Sequence, residues 1–216
     1  MDKRLHIWLL GMRKQAGYDS STAQVMVPSG PIRDAILAYG GTIPDDILYV
    51  DADGGKGREN EPHITIQYGL LDRTPDRVRH AVADTGPIRI ALGTVSRFCT
   101  NPLYDVLKVD VDSPTLHRLN ALVDANVPYD SEFPGYHPHL TLAYVRKGKG
   151  KEFDGSPRLA GLKFTATTVQ FRTLDEARTN ISTLDPTKGR EYLTDAIKEL
   201  HLDLFRPHMQ VSGPRD

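Results

Sequence analysis

The sequence predicts an α+β protein built on an antiparallel-rich sheet. Strand-like and helix-like segments alternate in mixed order, hairpin signals recur, and no Gly-x-Gly-x-x-Gly turn follows a strand. The last point removes the dinucleotide fingerprint of a doubly wound parallel sheet. The expected order is β-α-β-β-α-β-β-α-β-β.

Taken along the chain, residues 1–20 read as a short amphipathic arm. Its apolar run Leu5–Leu10 is brief, contains His6 and ends at Arg13-Lys14 without a small-residue cleavage site, unlike a signal peptide. Residues 22–27 form a strand broken by Pro28-Ser29-Gly30. Ile32, Ile36, Leu37 and Tyr39 at helical spacing predict a helix over 31–39, stopped by Gly40-Gly41. A short strand is expected at 46–50, then a polar, Gly-rich and mobile loop over 51–61 that reads as a lid or a free loop. Strand pattern returns at 63–69, and Pro75 opens a helix over 75–84. Segments 87–98 and 103–112 flank Thr100-Asn101-Pro102 and predict a hairpin. Ser113 caps a helix over 114–125 striped by Leu116, Leu119, Leu122 and Val123. A loop over 127–138 precedes a strand at 139–145, and 162–174 reads as one long strand or two. Leu193, Ile197, Leu200 and Leu204 predict a further helix over 189–205. The expected organisation is an arm (1–20), a main domain (21–184) and a helical tail (185–216).

The composition narrows the function. The chain has 216 residues, 27 Lys+Arg, 28 Asp+Glu and a formal net charge of −1. That balance argues against long nucleic acid held by bulk electrostatics. The single cysteine, Cys99, excludes an intrachain disulfide framework and a Cys-based zinc site, and is expected to be buried and inert. No stretch approaches the roughly 20 apolar residues of a membrane span, so a soluble, cytoplasmic protein without membrane contact is expected.

A repeat carries the chemistry. Pro62-His63-Ile64-Thr65-Ile66-Gln67-Tyr68 matches Pro138-His139-Leu140-Thr141-Leu142-Ala143-Tyr144. A bare His-x-Thr is expected about 0.6 times by chance in a chain with 8 His and 17 Thr, so the flanking Pro, aliphatics and Tyr make the pair informative. Strict strand alternation puts His63, Thr65 and Gln67 on one face, and His139, Thr141 and Ala143 likewise. The aliphatics, with Tyr68 and Tyr144, then fall on the buried face. Two imidazoles near an ordinary pKa of ~6.5 suit paired general acid and base work. Two hydroxyls suit phosphate oxygens. His137 reads as a loop residue shaping the cleft, and a His137–His139 metal pair lacks a matching carboxylate cluster. His6, His80, His117, His201 and His208 are assigned to surface or helix positions. Phe98, Tyr104, Phe133 and Tyr136 are candidates for stacking on bases. Lys147, in the run Arg146-Lys147-Gly148-Lys149-Gly150-Lys151, is either a phosphate-facing cation or part of a solvated turn.

The paired motifs resemble the two-histidine (2H) phosphoesterases, which include LigT-like RNA phosphodiesterases, over roughly residues 21–184. The resemblance implies a bilobal LigT-like fold with pseudo-two-fold symmetry around a central cleft. It also implies His63 and His139 as the acid/base pair, Thr65 and Thr141 as phosphate ligands, and no cofactor or metal. Residues 105–111, 116–120 and 133–139 are more narrowly similar to phage anti-CBASS phosphodiesterases. That likeness implies cleavage of cyclic di- and trinucleotide signals such as cGAMP inside the bacterial host. An RNA 2′,3′-cyclic phosphodiesterase or RNA-end-processing enzyme, and a non-catalytic nucleotide-sequestering module, remain the alternatives.

Overall fold

The computed structural model describes residues 20–52, 54–131, 135–173 and 175–184. All of the expected arm except Ser20, Phe133, and the tail with its expected helix at 189–205 lie outside the described residues.

Eight strands form one sheet: β1 (Ser21–Met26), β2 (His63–Leu70), β3 (Ile88–Phe98), β4 (Tyr104–Asp112), β5 (His139–Arg146), β6 (Lys163–Ala166), β7 (Thr168–Arg172) and β8 (Arg178–Ser182). Their order is β6-β3-β4-β5-β2-β1-β7-β8, and every pairing is antiparallel. Among the described residues, three helices accompany them: α1 (Pro31–Gly41), α2 (Asp76–Val82) and α3 (Pro114–Asn126). The antiparallel α+β expectation therefore holds, and the 162–174 segment resolves into β6 and β7.

The two halves repeat one plan. β1–α1–β2 and β4–α3–β5 each place a strand, a helix and a second strand paired antiparallel to the first. α1 packs against β5, and α3 packs against β2, so each helix covers the other half's motif strand. Local chemistry sets their ends. Pro31 and Pro114 sit in the first turns, where no N–H is needed. The Ser113 hydroxyl accepts from the Leu116 N–H at 3.3 Å and donates to the Arg89 carbonyl at 2.6 Å. Ile64, Ile66, Leu140 and Leu142 are fully buried in one continuous core with Ile36, Leu116 and Leu119. Such side chains contribute roughly 1.5–3 kcal/mol each.

β2 and β5 meet at the seam between the halves through a single pair, Ile64–Leu140. Beyond it they part, and the 48–59 segment fills the freed edge of β5. The Tyr49 N–H donates to the Tyr144 carbonyl at 2.9 Å, Tyr144 N–H to Gly57 at 2.7 Å, and Glu59 N–H to Leu142 at 2.9 Å. Arg58 clamps the segment to the carbonyls of Gly40 and Ile43 and to Asp45. The expectation of a mobile loop is thus corrected: an unpaired strand edge in the interior must find partners, and this loop supplies them. The expected 46–50 strand is also corrected. Asp45–Ile47 is a 3₁₀ turn, and Leu48 and Val50 make only isolated bridges.

Candidate active site

Both motif strands carry an extra residue. Along β1–β2, Gln24 opposes Thr65 but Ala23 opposes Gln67, leaving Ile66 over. Along β4–β5, Lys108 opposes Thr141 but Leu107 opposes Ala143, leaving Leu142 over. A one-residue bulge reverses the alternation beyond it. Gln67 and Ala143 therefore turn inward and are buried, while Tyr68 and Tyr144 join the His/Thr face. This corrects the placement of both tyrosines among the core residues and of Gln67 beside His63. Asn120 of α3 holds the first bulge, donating to the Ile66 carbonyl at 2.8 Å and to Gln67 Oε1 at 2.7 Å. Gly69 completes that turn at φ +80°, where a Cβ would lie 2.2 Å from the Asp130 carbonyl oxygen.

The two histidines are held alike. His63 Nδ1 lies 2.8 Å from the Glu61 carbonyl, and His139 Nδ1 lies 2.7 Å from the His137 carbonyl. A carbonyl only accepts, so Nδ1 carries the proton in both rings, and each Nε2 keeps its lone pair while the ring is neutral. The seam register that pairs Ile64 with Leu140 sets His63 across from Thr141 and Thr65 across from His139.

The surroundings differ. Phe98 meets the His139 ring edge-on at 4.8 Å between centroids, and the Lys108 ammonium lies 4.4 Å over Phe98. Lys108, only 6% exposed, donates to Ser96 Oγ at 2.7 Å and ion-pairs with Asp110, the residue opposite His139. Burial pushes the His139 pKa below its ordinary value. The Lys108 cation and the neighbouring His63 act in the same direction, against the His137 carbonyl bond and the Asp110 charge. Burial works to raise the Asp110 carboxyl, but the Lys108 and Ser96 hydrogen bonds outweigh it and hold it low. Near His63, the Glu59 carboxylate lies 3.9 Å from Nδ1, and Arg178 grips the Glu61 carboxylate through two 2.9 Å hydrogen bonds.

A cleft of about 430 Å³ opens beside the first motif. His63, Thr65, Thr22 and Gln24 line it, Tyr68 and Tyr144 flank it, and Arg172 and Glu176 pair at its edge. Burial raises the Tyr144 phenol, with Tyr104, Glu59 and Tyr68 adding to the effect, so it stays a neutral donor.

The other expected contact residues stand as follows. Phe98 flanks His139. Tyr104 joins an aromatic cluster, 5.0 Å from Tyr49 and 5.4 Å from Tyr144, beneath Lys56. Tyr136 donates from its hydroxyl to the Thr65 carbonyl at 3.0 Å and packs edge-on to His117, supporting the motif from behind. Lys147 is exposed along its stem but its ammonium is tied to the fold. Its ammonium donates to the carbonyls of Cys99 (2.6 Å) and Asn101 (2.8 Å) and to Asp105 (2.9 Å). The desolvated Asp105 carboxylate needs those donors, which corrects the phosphate-facing reading. Gly150 serves packing, with a Cβ there falling 3.1 Å from Leu107. Cys99 is exposed, not buried as expected, because it lies past the end of β3. Among the described residues, no group of three or more His, Cys, Asp or Glu side chains is placed to hold a metal ion, and no helix is long and apolar enough to cross a membrane. Sequence reasoning missed Lys108, Gln24 and Arg172; only the cross-strand register reveals them.

Comparison with solved structures finds the same fold in several proteins. Usb1 of Kluyveromyces marxianus, with uridine monophosphate, matches at TM-score 0.52 and 12% identity, covering 76% of this chain and 99% of that one. TT0787 of Thermus thermophilus matches at TM-score 0.53 and 16% identity, covering 76% and 95%. Escherichia coli LigT complexed with 3′-AMP matches at TM-score 0.51 and 14% identity, again covering 76% and 95%. The LigT-like fold expected from the motifs is the fold found. Among curated protein sequences there is no significant match. A sequence profile of the 2′-5′ RNA ligase superfamily spans residues 51–178, more than half of the chain and both His-x-Thr motifs. The protein belongs to the 2′-5′ RNA ligase superfamily, the 2H phosphoesterases.

Proposed function

We propose that the protein is a phosphodiesterase that cleaves 3′–5′ bonds of small cyclic di- or trinucleotides by two-histidine acid–base catalysis. The observation that carries the reading is the matched anchoring of two imidazoles, each with Nδ1–H on a carbonyl two residues upstream and Nε2 left available.

His139, favoured in its neutral form, takes a proton through Nε2 from the ribose 2′-OH or from water. As that oxygen bonds to phosphorus and the P–O5′ bond breaks, His63, entering with a second proton on Nε2, gives it to the departing 5′ oxygen. The Thr65 and Thr141 hydroxyls donate to the non-bridging oxygens as charge builds on them. Tyr68 and Tyr144 offer rings to a base, a contact worth about 1–3 kcal/mol per base. Accordingly, Tyr144→Ala should raise KM about tenfold or more while leaving kcat within a few fold. A near-zero net charge and a cleft of about 430 Å³ favour a small nucleotide over long nucleic acid.

A second reading, an RNA 2′,3′-cyclic phosphodiesterase or end-processing enzyme, is favoured by the superfamily match and by the fold shared with LigT and Usb1. One panel decides. The protein is incubated in EDTA with cyclic dinucleotides, cyclic trinucleotides and RNA bearing 2′,3′-cyclic phosphate ends, and the products are separated by chromatography. Linearised cyclic nucleotides support the first reading. Turnover of RNA ends alone transfers the assignment to the second. Stoichiometric release of intact ligand, with no turnover, refutes both.

A further inference from the structure

We propose that the cleft beside His63 is a nucleobase pocket, and that Gln24 reads the base by accepting a hydrogen bond from an exocyclic amino group. This deepens the phosphodiesterase reading and rests on it for the location of the phosphate.

Gln24 lies opposite Thr65 in one strand pair and opposite Gln170 in the other. It is 3% exposed yet lines the cleft. An amide ladder fixes its orientation. Gln24 Nε2 donates to Gln170 Oε1 at 3.2 Å and approaches Met26 Sδ at 3.3 Å; Gln170 Nε2 donates to Asn180 Oδ1 at 3.2 Å. Each NH₂ is spent on the neighbouring strand, so Gln24 Oε1 is left without a side-chain partner among the described residues. That oxygen is open to the cleft rather than sealed in the core, so an incoming N–H can reach it.

The rest of the pocket selects a base over a phosphate. Tyr68 and Tyr144 supply aromatic surface, and the nearby cation, Arg172, is already neutralised by Glu176. Adenine, cytosine and guanine offer an amino group to the acceptor. Uracil offers one N–H between two carbonyls, whose oxygens would face Gln24 Oε1 and repel it. The pocket therefore disfavours uracil.

The test is equilibrium binding of the four 3′-mononucleotides to the full chain, with thermal melting as a check on folding. Wild type should bind the uridine nucleotide about five- to tenfold more weakly than the adenosine or cytidine nucleotide. Gln24→Met should flatten that difference, while Gln24→Glu, which keeps an acceptor, should preserve it. Equal binding of the uridine nucleotide, an unchanged ranking in Gln24→Met, or no binding of any mononucleotide overturns the proposal. Should Gln24→Met fail to fold, the wild-type ranking and Gln24→Glu still decide. The expected ranking without turnover of any phosphodiester would overturn the phosphodiesterase reading and leave the pocket standing.

Discussion

Lys108 is one residue by which the surroundings of the two histidines differ. The paired motifs look interchangeable in sequence, and their backbone anchoring is the same in both halves. The flanking strands differ: Gln24, a neutral amide, opposes Thr65, whereas Lys108, a buried cation, opposes Thr141. Burial favours the neutral form of the His139 imidazole, and the Lys108 cation adds to that. The acidic limb of the pH–rate profile should therefore lie below the ordinary histidine range, because activity is lost only as His139 gains a proton. Lys108→Met removes the opposing cation and leaves the Asp110 carboxylate, so both changes raise the His139 pKa. The limb should move to higher pH, and the His139 ring resonances in NMR titration should move with it. An unmoved titration would remove Lys108 from this role. The His and Thr pairs were legible in the sequence because chemistry and repetition coincide there. Lys108 was not, because its significance depends on which residue stands across the strand.

At the scale of elements, helix caps and hairpins follow local rules, and Ser113, Pro114 and the β3–β4 hairpin lie where the sequence predicts them. The bulges at Ile66 and Leu142 do not, since the alternation of apolar residues continues through them and their cause is remote: Asn120 on one side, the 48–59 edge on the other. The turns around β4 and β5 show the same limit. A run of four basic residues in six left a phosphate-facing cation and a solvated turn as its two readings. Yet Lys147 and Arg97 are drawn to Asp105, which also accepts the Gly148 N–H at 3.0 Å. Burial raises the Asp105 carboxyl, but Lys147, Gly148 and Arg97 outweigh it and hold it below the ordinary value. A depressed folded-state pKa contributes stability above the unfolded value of ~3.9 that is lost as pH falls through the folded value. Asp105→Ala should destabilise the protein by about 1–3 kcal/mol in urea unfolding at pH 7, because Lys147, Arg97 and the Gly148 N–H lose a shared acceptor while Arg97 keeps its pair with Asp154. A loss under about 1 kcal/mol would show the network to be dispensable.

At the scale of the whole molecule, the symmetry is the design. Two copies of strand–helix–strand bring their motif strands together at one residue pair, Ile64–Leu140, and each helix supports the opposite copy. The α+β class and the pairing of the motifs were legible because hydrophobic patterning and duplication are properties of the chain. The cleft's asymmetry was not, because it arises where β7 and β8 close one half and β3 and β6 the other. The central claim is that both histidines act on one phosphodiester. The direct test is turnover of cyclic dinucleotides and 2′,3′-cyclic RNA ends by wild type, His63→Ala and His139→Ala, each variant verified as folded. Each substitution alone should cost about 10²–10⁴ in kcat, and the double variant little more than the worse single one. Near-wild-type turnover by either single variant would contradict the account.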